Sequence, residues 1–323
     1  MENYCDNMAP ELSIIVPCYN EEESIPIFYD EVTKVVRTIG CSYEILFIND
    51  GSSDRSLNEM KELSEKDPNV NYYSFSRNFG KESAMYAGLC NASGDYVAIM
   101  DVDLQDPPSL LPEMLEILKT DEYDNVATRR SDRKGESIIK SFLSNSFYKV
   151  INRISDVKIE SGARDFRLMK RNMVDAIVQM GENNRFSKGL FAWVGFRTYW
   201  LSFENVERVA GETKWSTWKL FKYSIEGIIN YSHAPLAIAS TMGFLFTFLS
   251  IIGIAIIIIR QLFFGGSVEG WSSLVCVIMF LGGIQLLCMG IMGQYISKTY
   301  IETKNRPHYI ISETNKDDTK KIN

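Results

Sequence analysis

Two long uncharged segments near the C-terminal end constrain this chain more than any other feature. Residues 234–259 and 270–297 contain no Asp, Glu, Lys or Arg, and they include the runs GFLFTFLSIIGIAIIII and LVCVIMFLGGIQLLCMGIMG. A helix needs about 20 apolar residues to cross the hydrocarbon core of a bilayer. The alternative, two buried helices of a soluble bundle, is disfavoured because both runs are so long and so uniformly apolar. The sequence therefore predicts two membrane-spanning helices, 234–259 and 272–297, joined by an extracytoplasmic loop, 260–271.

The positive residues near these spans indicate how the chain crosses the membrane. Lys and Arg concentrate on the cytoplasmic side of membrane proteins. The connecting loop holds only Arg260, whereas several positive residues precede the first span and follow the second. We therefore expect a multi-pass protein of the cell membrane, with a cytoplasmic domain at 1–207, a basic juxtamembrane segment at 208–233 and a cytoplasmic tail at 298–323. The flanking positive residues are Arg208, Lys214, Lys219, Lys222, Lys298, Lys304 and Arg306.

Composition argues against several classes of function. The six cysteines form no C-x-x-C pair, which favours reduced thiols. Only two histidines are present, His233 and His308, so neither a histidine-based catalytic triad nor a His-ligated zinc site is expected. The net charge of −7 argues against nucleic acid as a partner. The opening MENYCDNMAPELS lacks the features of a signal peptide, and the closing SETNKDDTKKIN has the composition of a disordered tail.

Apolar strands alternate with helical patterns through the first 130 residues. The strand patterns are apolar throughout, and the segments between them repeat apolar residues at helical spacing. Such alternation predicts an α/β domain with a mostly parallel sheet and helices on both faces. Ser53-Asp54 is a candidate N-cap for the second helix, and a short helix is expected over 81–91. The predicted strands cover residues 12–17, 43–50, 70–76, 96–101 and 125–129.

Polar residues follow these strands where the strands end. In open α/β sheets, ligands collect beyond the carboxyl ends of the strands, so three distant segments should meet at one rim: Tyr19-Asn20-Glu21, Asp50 and Asp101-Val102-Asp103. Hard cations such as Mg²⁺ and Mn²⁺ take oxygen ligands and share them with substrate phosphates. The chain has neither G-x-G-x-x-G nor a P-loop. The pattern therefore favours a metal-bridged diphosphate, although a D-x-D also occurs on solvated loops and Asp-Gly also makes simple turns.

Six motifs in this order resemble a known enzyme family. They are IIVPCYNEEESI, FINDGSSD, DVDLQDPP, GARDFRLMKR, RFSKGLFAWVGF and RVAGETKW. The first five resemble the inverting family 2 glycosyltransferases with the GT-A fold. The last, with the two predicted spans, is similar to the bacterial polyprenyl-phosphate glycosyltransferases, relatives of bactoprenol glucosyltransferase and dolichol-phosphate mannose synthase. The Q-x-x-R-W signature of processive members is missing, so the resemblance implies a single-transfer enzyme.

The resemblance implies a role for residues in each motif. Asp101 and Asp103 would bind the metal, Mg²⁺ or Mn²⁺, and Asp165 would be the catalytic carboxylate. The alternative for the Arg164, Asp165 and Arg167 cluster is a structural set of ion pairs. Phosphate would contact Arg129, Arg164, Arg208 and Lys214, of which the last two would close over the diphosphate on a loop. The nucleotide sugar would be bound by Pro17, Tyr19, Glu21, Asp50, Asp101, Val102, Asp103 and Gln105.

The implied reaction is metal-dependent transfer of a hexose to undecaprenyl phosphate with inversion, from UDP-glucose by default. The alternatives are another donor (UDP-N-acetylhexosamine or GDP-mannose), a glycolipid acceptor, or a non-catalytic scaffold that binds a sugar nucleotide. A phosphate monoester has a second pKa near 6, so the acceptor is largely ionised and needs no strong base. Asp165 would then orient the acceptor or help to hold the metal, more than it would act as a base.

Two further segments are candidates for the membrane surface. Residues 138–154 and 215–229 carry apolar residues at helical spacing beside Lys and Arg, which is typical of interfacial helices. Plain packing helices are the alternative for both. Small residues at Gly282-Gly283 and Gly290–Gly293 would allow spans of different subunits to pack, so a homo-oligomer such as a tetramer is an open expectation.

Overall fold

The computed structural model describes residues 9–130, 152–153, 158, 160, 162–203, 234–264 and 270–316. The predicted interfacial segment 215–229, and 138–154 except for its residues 152–153, lie outside the described residues. Eight strands and eight α-helices are described, and a short 3₁₀ turn at Pro108–Leu110 precedes the fourth helix. The strands are β1 Leu12–Cys18, β2 Tyr43–Asn49, β3 Val70–Phe75, β4 Tyr96–Ile99, β5 Asn125–Arg130, β6 Ala163–Lys170, β7 Thr198–Phe203 and β8 Ile311–Thr314. The helices are α1 Ser24–Ile39, α2 Ser56–Lys66, α3 Lys81–Asn91, α4 Leu111–Lys119, α5 Arg171–Val178, α6 Ser187–Trp193, α7 Ala234–Phe264 and α8 Trp271–Thr303.

All eight strands form one sheet in the order β7-β5-β6-β4-β1-β2-β3-β8. Strands β4, β1, β2 and β3 pair in parallel, and β6 inserts antiparallel between β4 and β5. The five strands predicted from the sequence are confirmed, and so is the mostly parallel sheet with helices on both faces. The fourth strand is shorter than predicted, since it ends at Ile99 and leaves Asp101 in the following loop.

Two apolar cores lie on the two faces of the sheet. One contains Phe28, Phe47 and Met114, all fully buried, and the other contains Ile15, Ile48 and Met173. In the second core α3 packs very closely on β1. A Cβ at Gly88 would lie 2.1 Å from Cγ2 of Ile15, so only glycine fits this contact. This contact fixes how closely α3 lies against β1.

The local start of α2 differs from the prediction. The N-cap residue is Arg55 rather than Ser53 or Asp54, and it has no side-chain capping bond. Oδ1 of Asp54 nevertheless accepts the Ser56 amide at 3.0 Å, and Oδ2 accepts the Glu22 amide at 3.2 Å. Asp54 therefore acts as a cap acceptor while also joining the loop after β1 to the loop after β2.

The two C-terminal helices are long and apolar enough to cross a membrane. They contain 31 and 33 residues, which corresponds to about 46 and 50 Å of helix. Nearly all side chains of the candidate spans within them, Ala234–Gly253 and Val277–Thr303, are partly or fully exposed. Phe246 and Phe280 contact each other at 5.7 Å between ring centroids, so the helices pack side by side. The helices extend beyond the predicted spans at their ends, and α8 continues to Thr303.

The prediction of a disordered tail is wrong for residues 312–316. Strand β8 pairs antiparallel with β3 at the edge of the sheet, and the Tyr309 ring stacks on Phe75 at 5.0 Å. At the end of α8, the Glu302 carboxylate accepts the amide of Asn183 at 3.0 Å. Composition did not reveal this strand because its stability comes from the open edge of β3. Residues 317–323 lie outside the described part of the chain.

Candidate active site

Three charged side chains from distant parts of the sequence meet at the rim. Asp101 follows β4, Asp165 lies near the start of β6, and Lys81 begins α3. The Lys81 Nζ lies 2.7 Å from Oδ1 and 3.0 Å from Oδ2 of Asp101, and 2.6 Å from Oδ2 of Asp165. The antiparallel insertion of β6 beside β4 brings the two carboxylates together and adds Asp165 to the predicted rim.

This arrangement fixes the charge state of the cluster. Burial raises the pKa of Asp165, but the positive charges of Lys81, Lys188 and Arg167 outweigh it and hold that pKa well below its usual range. Burial also lowers the pKa of the Lys81 ammonium, and the charges of Asp101 and Asp165 raise it above its ordinary value. Both groups are therefore charged at every physiological pH.

The loop after β4 offers oxygen ligands suited to a hard cation. Oδ1 of Asp103 accepts the Gln105 amide at 3.1 Å, and Leu104 between them has φ 55°. Asp103 is buried, whereas the Asp101 side chain is 21% exposed. Among the described residues, no group of three or more His, Cys, Asp or Glu side chains could hold a metal alone. One or two carboxylates with substrate phosphates are the usual environment of Mg²⁺, so the residues fit a metal that arrives with a nucleotide.

Asp50 is buried, and its carboxylate accepts hydrogen bonds from backbone amides. Oδ1 accepts the Phe79 amide at 2.6 Å, and Oδ2 accepts the Gly80 amide at 2.9 Å. Burial raises its pKa, and the two amides oppose that rise. Gly51 forms the turn, since a Cβ there would lie 2.3 Å from the backbone of Arg77. Asp50 thus anchors the loop that presents Lys81, and its contact with a base or ribose stays a prediction.

The segment after β1 forms one wall of the rim. Tyr19 is 41% exposed, and Pro17 and Glu21 are half-buried. Asn20 joins this segment to the loop after β2, because its amide donates to Oγ of Ser52 at 2.9 Å and its Oδ1 accepts the Ser53 amide at 2.8 Å. The loop after β1 and the loop after β2 are therefore held together, and the nucleotide pocket predicted there stays a prediction.

Comparisons with known proteins identify the family. The description "Glycosyl transferase family 2" matches residues 13–178. A prophage bactoprenol glucosyl transferase homolog of Escherichia coli (strain K12) is 44% identical, covering 95% of this chain and 100% of the relative. The bactoprenol glucosyl transferase of Shigella phage SfV is 44% identical, covering 93% of this chain and 98% of the relative.

The chain belongs to glycosyl transferase family 2. It is a glycosyltransferase with a GT-A-like α/β fold. Among solved structures, glucosyl-3-phosphoglycerate synthase from Mycobacterium tuberculosis, in complex with Mn²⁺ and UDP-glucose, matches at a TM-score of 0.45 and 19% identity, covering 68% of this chain and 77% of that one.

Two predicted phosphate-binding arginines of this glycosyltransferase have protein partners. Nε of Arg164 donates to Oδ1 of the fully buried Asp106 at 2.8 Å, and Nη1 of Arg129 donates to Oε1 of Glu160 at 2.9 Å. Oδ2 of Asp106 has no hydrogen-bond partner among the described residues. Arg164 thereby braces the loop after Asp101, which supports the structural alternative for this residue. The phosphate contacts of both arginines remain predictions.

The remaining predicted residues divide between the core and the part of the chain that is not described. The Val102 side chain belongs to the apolar core, so any contact of this residue with a nucleotide sugar would come from its backbone. Nη2 of Arg164 lies 3.4 Å from Oε1 of Gln105, which places Gln105 beside the same loop. Arg208 and Lys214 lie outside the described residues.

Of the cations around Asp165, Arg167 belongs to the predicted cluster, whereas Lys81 and Lys188 were not among the predicted site residues. Lys81 is the first residue of α3, and a helix that follows a parallel strand begins at the ligand-binding rim, so the position of Lys81 in the sequence is a usable signal. Lys188 donates to the Ala163 carbonyl at 3.0 Å, and the Arg167 guanidinium lies over the Phe191 ring at 3.5 Å. Arg167 and Lys188 line a cavity of about 170 Å³ that also includes Glu160. Burial lowers the pKa of Arg167 to about 9. RFSKG, already singled out as a motif, was the signal for Lys188.

Proposed function

We propose that this glycosyltransferase transfers one hexose, glucose by default, from a nucleotide sugar to polyprenyl phosphate at the cytoplasmic face of the membrane. The convergence of Asp101, Lys81 and Asp165 at the rim carries the proposal. The names of the relatives, bactoprenol glucosyl transferases, support the acceptor and the sugar. The two apolar helices support access to a lipid substrate.

The contacts of α8 support the proposed topology. Glu302 at the end of α8 bonds to Asn183, and β8 pairs with β3, so the end of the second candidate span lies on the same side as the catalytic domain. Two membrane crossings return the chain to its starting side, and the positive residues near both spans favour the cytoplasm. We therefore place the domain and the tail together in the cytoplasm and the connecting loop outside.

In the proposed mechanism, Asp101 and Asp103 would hold Mg²⁺ or Mn²⁺, which supplies charge stabilisation for the departing nucleoside diphosphate. An ionised oxygen of the lipid phosphate attacks the anomeric carbon, and the bond from that carbon to the diphosphate oxygen breaks. The nucleoside diphosphate leaves with the bonding electrons, so an α-linked donor gives a β-linked product. No proton has to be removed from the acceptor. Asp165 accordingly orients the acceptor and Lys81 rather than acting as a strong base.

A direct assay tests this function. The purified protein in nanodiscs is supplied with undecaprenyl phosphate, Mn²⁺ or Mg²⁺, and in turn UDP-glucose, UDP-N-acetylglucosamine and GDP-mannose, and the lipid product is identified by mass spectrometry. We expect a glucosylated product that disappears with EDTA. Product formed in EDTA would contradict the metal role, and no product with any donor would favour the scaffold alternative.

The matched variants are Asp101→Asn and Asp95→Asn. Asp95 precedes the same strand at its opposite end and is exposed. We expect Asp101→Asn to lower kcat/KM by about 10²- to 10³-fold, as when one electrostatic contact to developing charge is removed. Asp95→Asn should retain full activity. Equal activity of the two variants would remove Asp101 from the site.

A further inference from the structure

The Lys81 ammonium and the expected metal require the same carboxylate oxygens. Nζ lies within 3.0 Å of both Asp101 oxygens and 2.6 Å from Oδ2 of Asp165. Two like-charged carboxylates held this close repel each other, and the ammonium between them compensates that repulsion. A divalent cation on Asp101 would in turn be repelled by the ammonium. The two cations therefore compete for this position.

We propose that Lys81 is a built-in counter-ion of Asp101 and Asp165, which the incoming metal–nucleotide displaces from Asp101 and which then pairs with the diphosphate. The proposal rests on the metal-dependent function above. Lys81 acts through Asp101 and Asp165 in the resting enzyme, where it is a positioning residue. The Asp101 carboxylate is thus paired with Lys81 before the donor binds and with the metal afterwards.

The surroundings of Lys81 allow its side chain to move while its backbone stays in place. The preceding amides of Phe79 and Gly80 are bonded to the buried Asp50 carboxylate. The Lys81 side chain itself is 40% exposed and has a long flexible stem. Its ammonium can therefore leave Asp101 and remain at the rim, whereas the loop that carries it does not have to rearrange.

Displacement links metal binding to nucleotide binding. Metal alone would separate the ammonium from Asp101 and offer it no new partner, so metal alone should bind weakly. A nucleoside diphosphate adds phosphate oxygens for the metal and an anion for the displaced ammonium. Lys81 thus makes the two ligands bind cooperatively, and by linkage each raises the affinity for the other by the same factor.

The test measures Mn²⁺ binding by electron paramagnetic resonance, with and without UDP and without any acceptor lipid. In the native chain we expect weak Mn²⁺ binding alone and tight binding with UDP. In Lys81→Met we expect the Kd for Mn²⁺ alone to fall by about tenfold or more, within the usual range of coupling between sites. The gain in Mn²⁺ affinity on adding UDP should shrink by a similar factor.

Two variants separate competition from general electrostatics and from misfolding. Lys188→Met removes another cation whose charge acts on Asp165, but Lys188 bonds to the Ala163 carbonyl. Its Kd for Mn²⁺ alone should stay within about twofold of the native value. Lys81→Arg keeps the charge and should retain weak binding of metal alone, and it provides the comparison if Lys81→Met does not fold.

Each outcome decides the proposal. An unchanged Kd for Mn²⁺ alone in Lys81→Met overturns it, as does equal tightening in Lys188→Met. If Lys81→Met is unfolded, tight binding of Mn²⁺ alone to Lys81→Arg overturns it. If Mn²⁺ and UDP bind cooperatively while Lys81→Met has no effect, only this inference fails. If Mn²⁺ binds to no protein even with UDP, the metal-dependent function fails with it.

Discussion

Asp165 is placed to remain charged rather than to exchange protons. The Lys81 ammonium lies 2.6 Å from its Oδ2, and Lys188 and Arg167 add further positive charge. A carboxylate whose pKa is held well below its usual range is a weak base. The acceptor phosphate is already largely ionised near neutral pH. The environment of Asp165 and the chemistry of the proposed acceptor therefore both favour the proposed orienting and electrostatic role.

Asp165→Asn tests this role at the level of one side chain. The amide keeps the shape and removes the charge that holds Lys81, so we expect kcat at saturating undecaprenyl phosphate to fall by about 10²-fold. The measurement is steady-state transfer, and the control is Asp175→Asn. Asp175 is an exposed carboxylate on α5, and its ion pair with Arg171 is long, at 3.9 Å. Near-native turnover of Asp165→Asn would remove its catalytic assignment.

At the scale of elements, a contact between α3 and α6 holds together the two helices that carry Lys81 and Lys188. Glu82 in the first turn of α3 accepts the Ser187 amide at 3.0 Å and also contacts the Ser187 hydroxyl. Ser187 begins α6, whose next residue is Lys188. Burial raises the pKa of Glu82 to about 7, although the bonds from Ser187 lower it. This contact joins the helix that carries Lys81 to the helix that carries Lys188.

The raised pKa of Glu82 makes a stability prediction with a definite sign. Between its ordinary pKa of 4.5 and about 7, the folded state binds more protons at Glu82 than the unfolded state does. The stability from the protonated form is complete below the lower value and is lost as pH rises toward 7. Glu82→Gln does not titrate. Its Tm relative to the native chain should therefore be about 2–4 °C higher at pH 8 than at pH 5.

Thermal melts of the detergent-solubilised proteins at the two pH values measure this difference. Glu116→Gln is the control, because Glu116 is exposed on α4 and its replacement should shift both melts equally. A difference in Tm between Glu82→Gln and the native chain that is the same at pH 5 and pH 8 would show that Glu82 does not titrate in this range.

At the scale of the whole molecule, the chain after the second apolar helix returns to the catalytic domain. Asn315 accepts the Tyr72 amide at 2.8 Å and donates to the Val70 carbonyl at 3.0 Å, which extends the pairing of β8 with β3. The pairing of this strand with β3 and the bond from Asn183 to Glu302 tie the end of α8 to the catalytic domain at two places. The tail therefore helps to set how the domain is held against the apolar helices.

Asn315→Ala tests this connection. Losing two edge hydrogen bonds should lower the free energy of unfolding by about 1–3 kcal/mol, seen as a lower Tm, and the tail should be cut faster by protease. Ile310→Ala is the control, since Ile310 is 51% exposed and only its backbone carbonyl bonds to Ser76. Unchanged melting and unchanged proteolysis of Asn315→Ala would show that β8 does not hold the tail.

The sequence alone determined the parts of this protein that depend on neighbouring residues. Apolar length predicted the helices α7 and α8, alternating patterns predicted β1 to β5, and the strand-end rule placed Asp101 at a ligand-binding rim. These features can be predicted locally because helix and strand periodicity shows within a short segment, and because one continuous apolar segment is enough to span a bilayer.

Only the tertiary structure decided which distant residues meet. Lys81 and Asp165 are 84 positions apart and come together because β6 inserts beside β4. Asp50 reads as a ligand or a turn residue in the sequence, yet it anchors the loop before Lys81. The polar segment at β8 becomes a strand because β3 offers a free edge. Each of these contacts depends on the order of the strands across the sheet. That order is set by pairing energies over the whole domain, and no single segment encodes it.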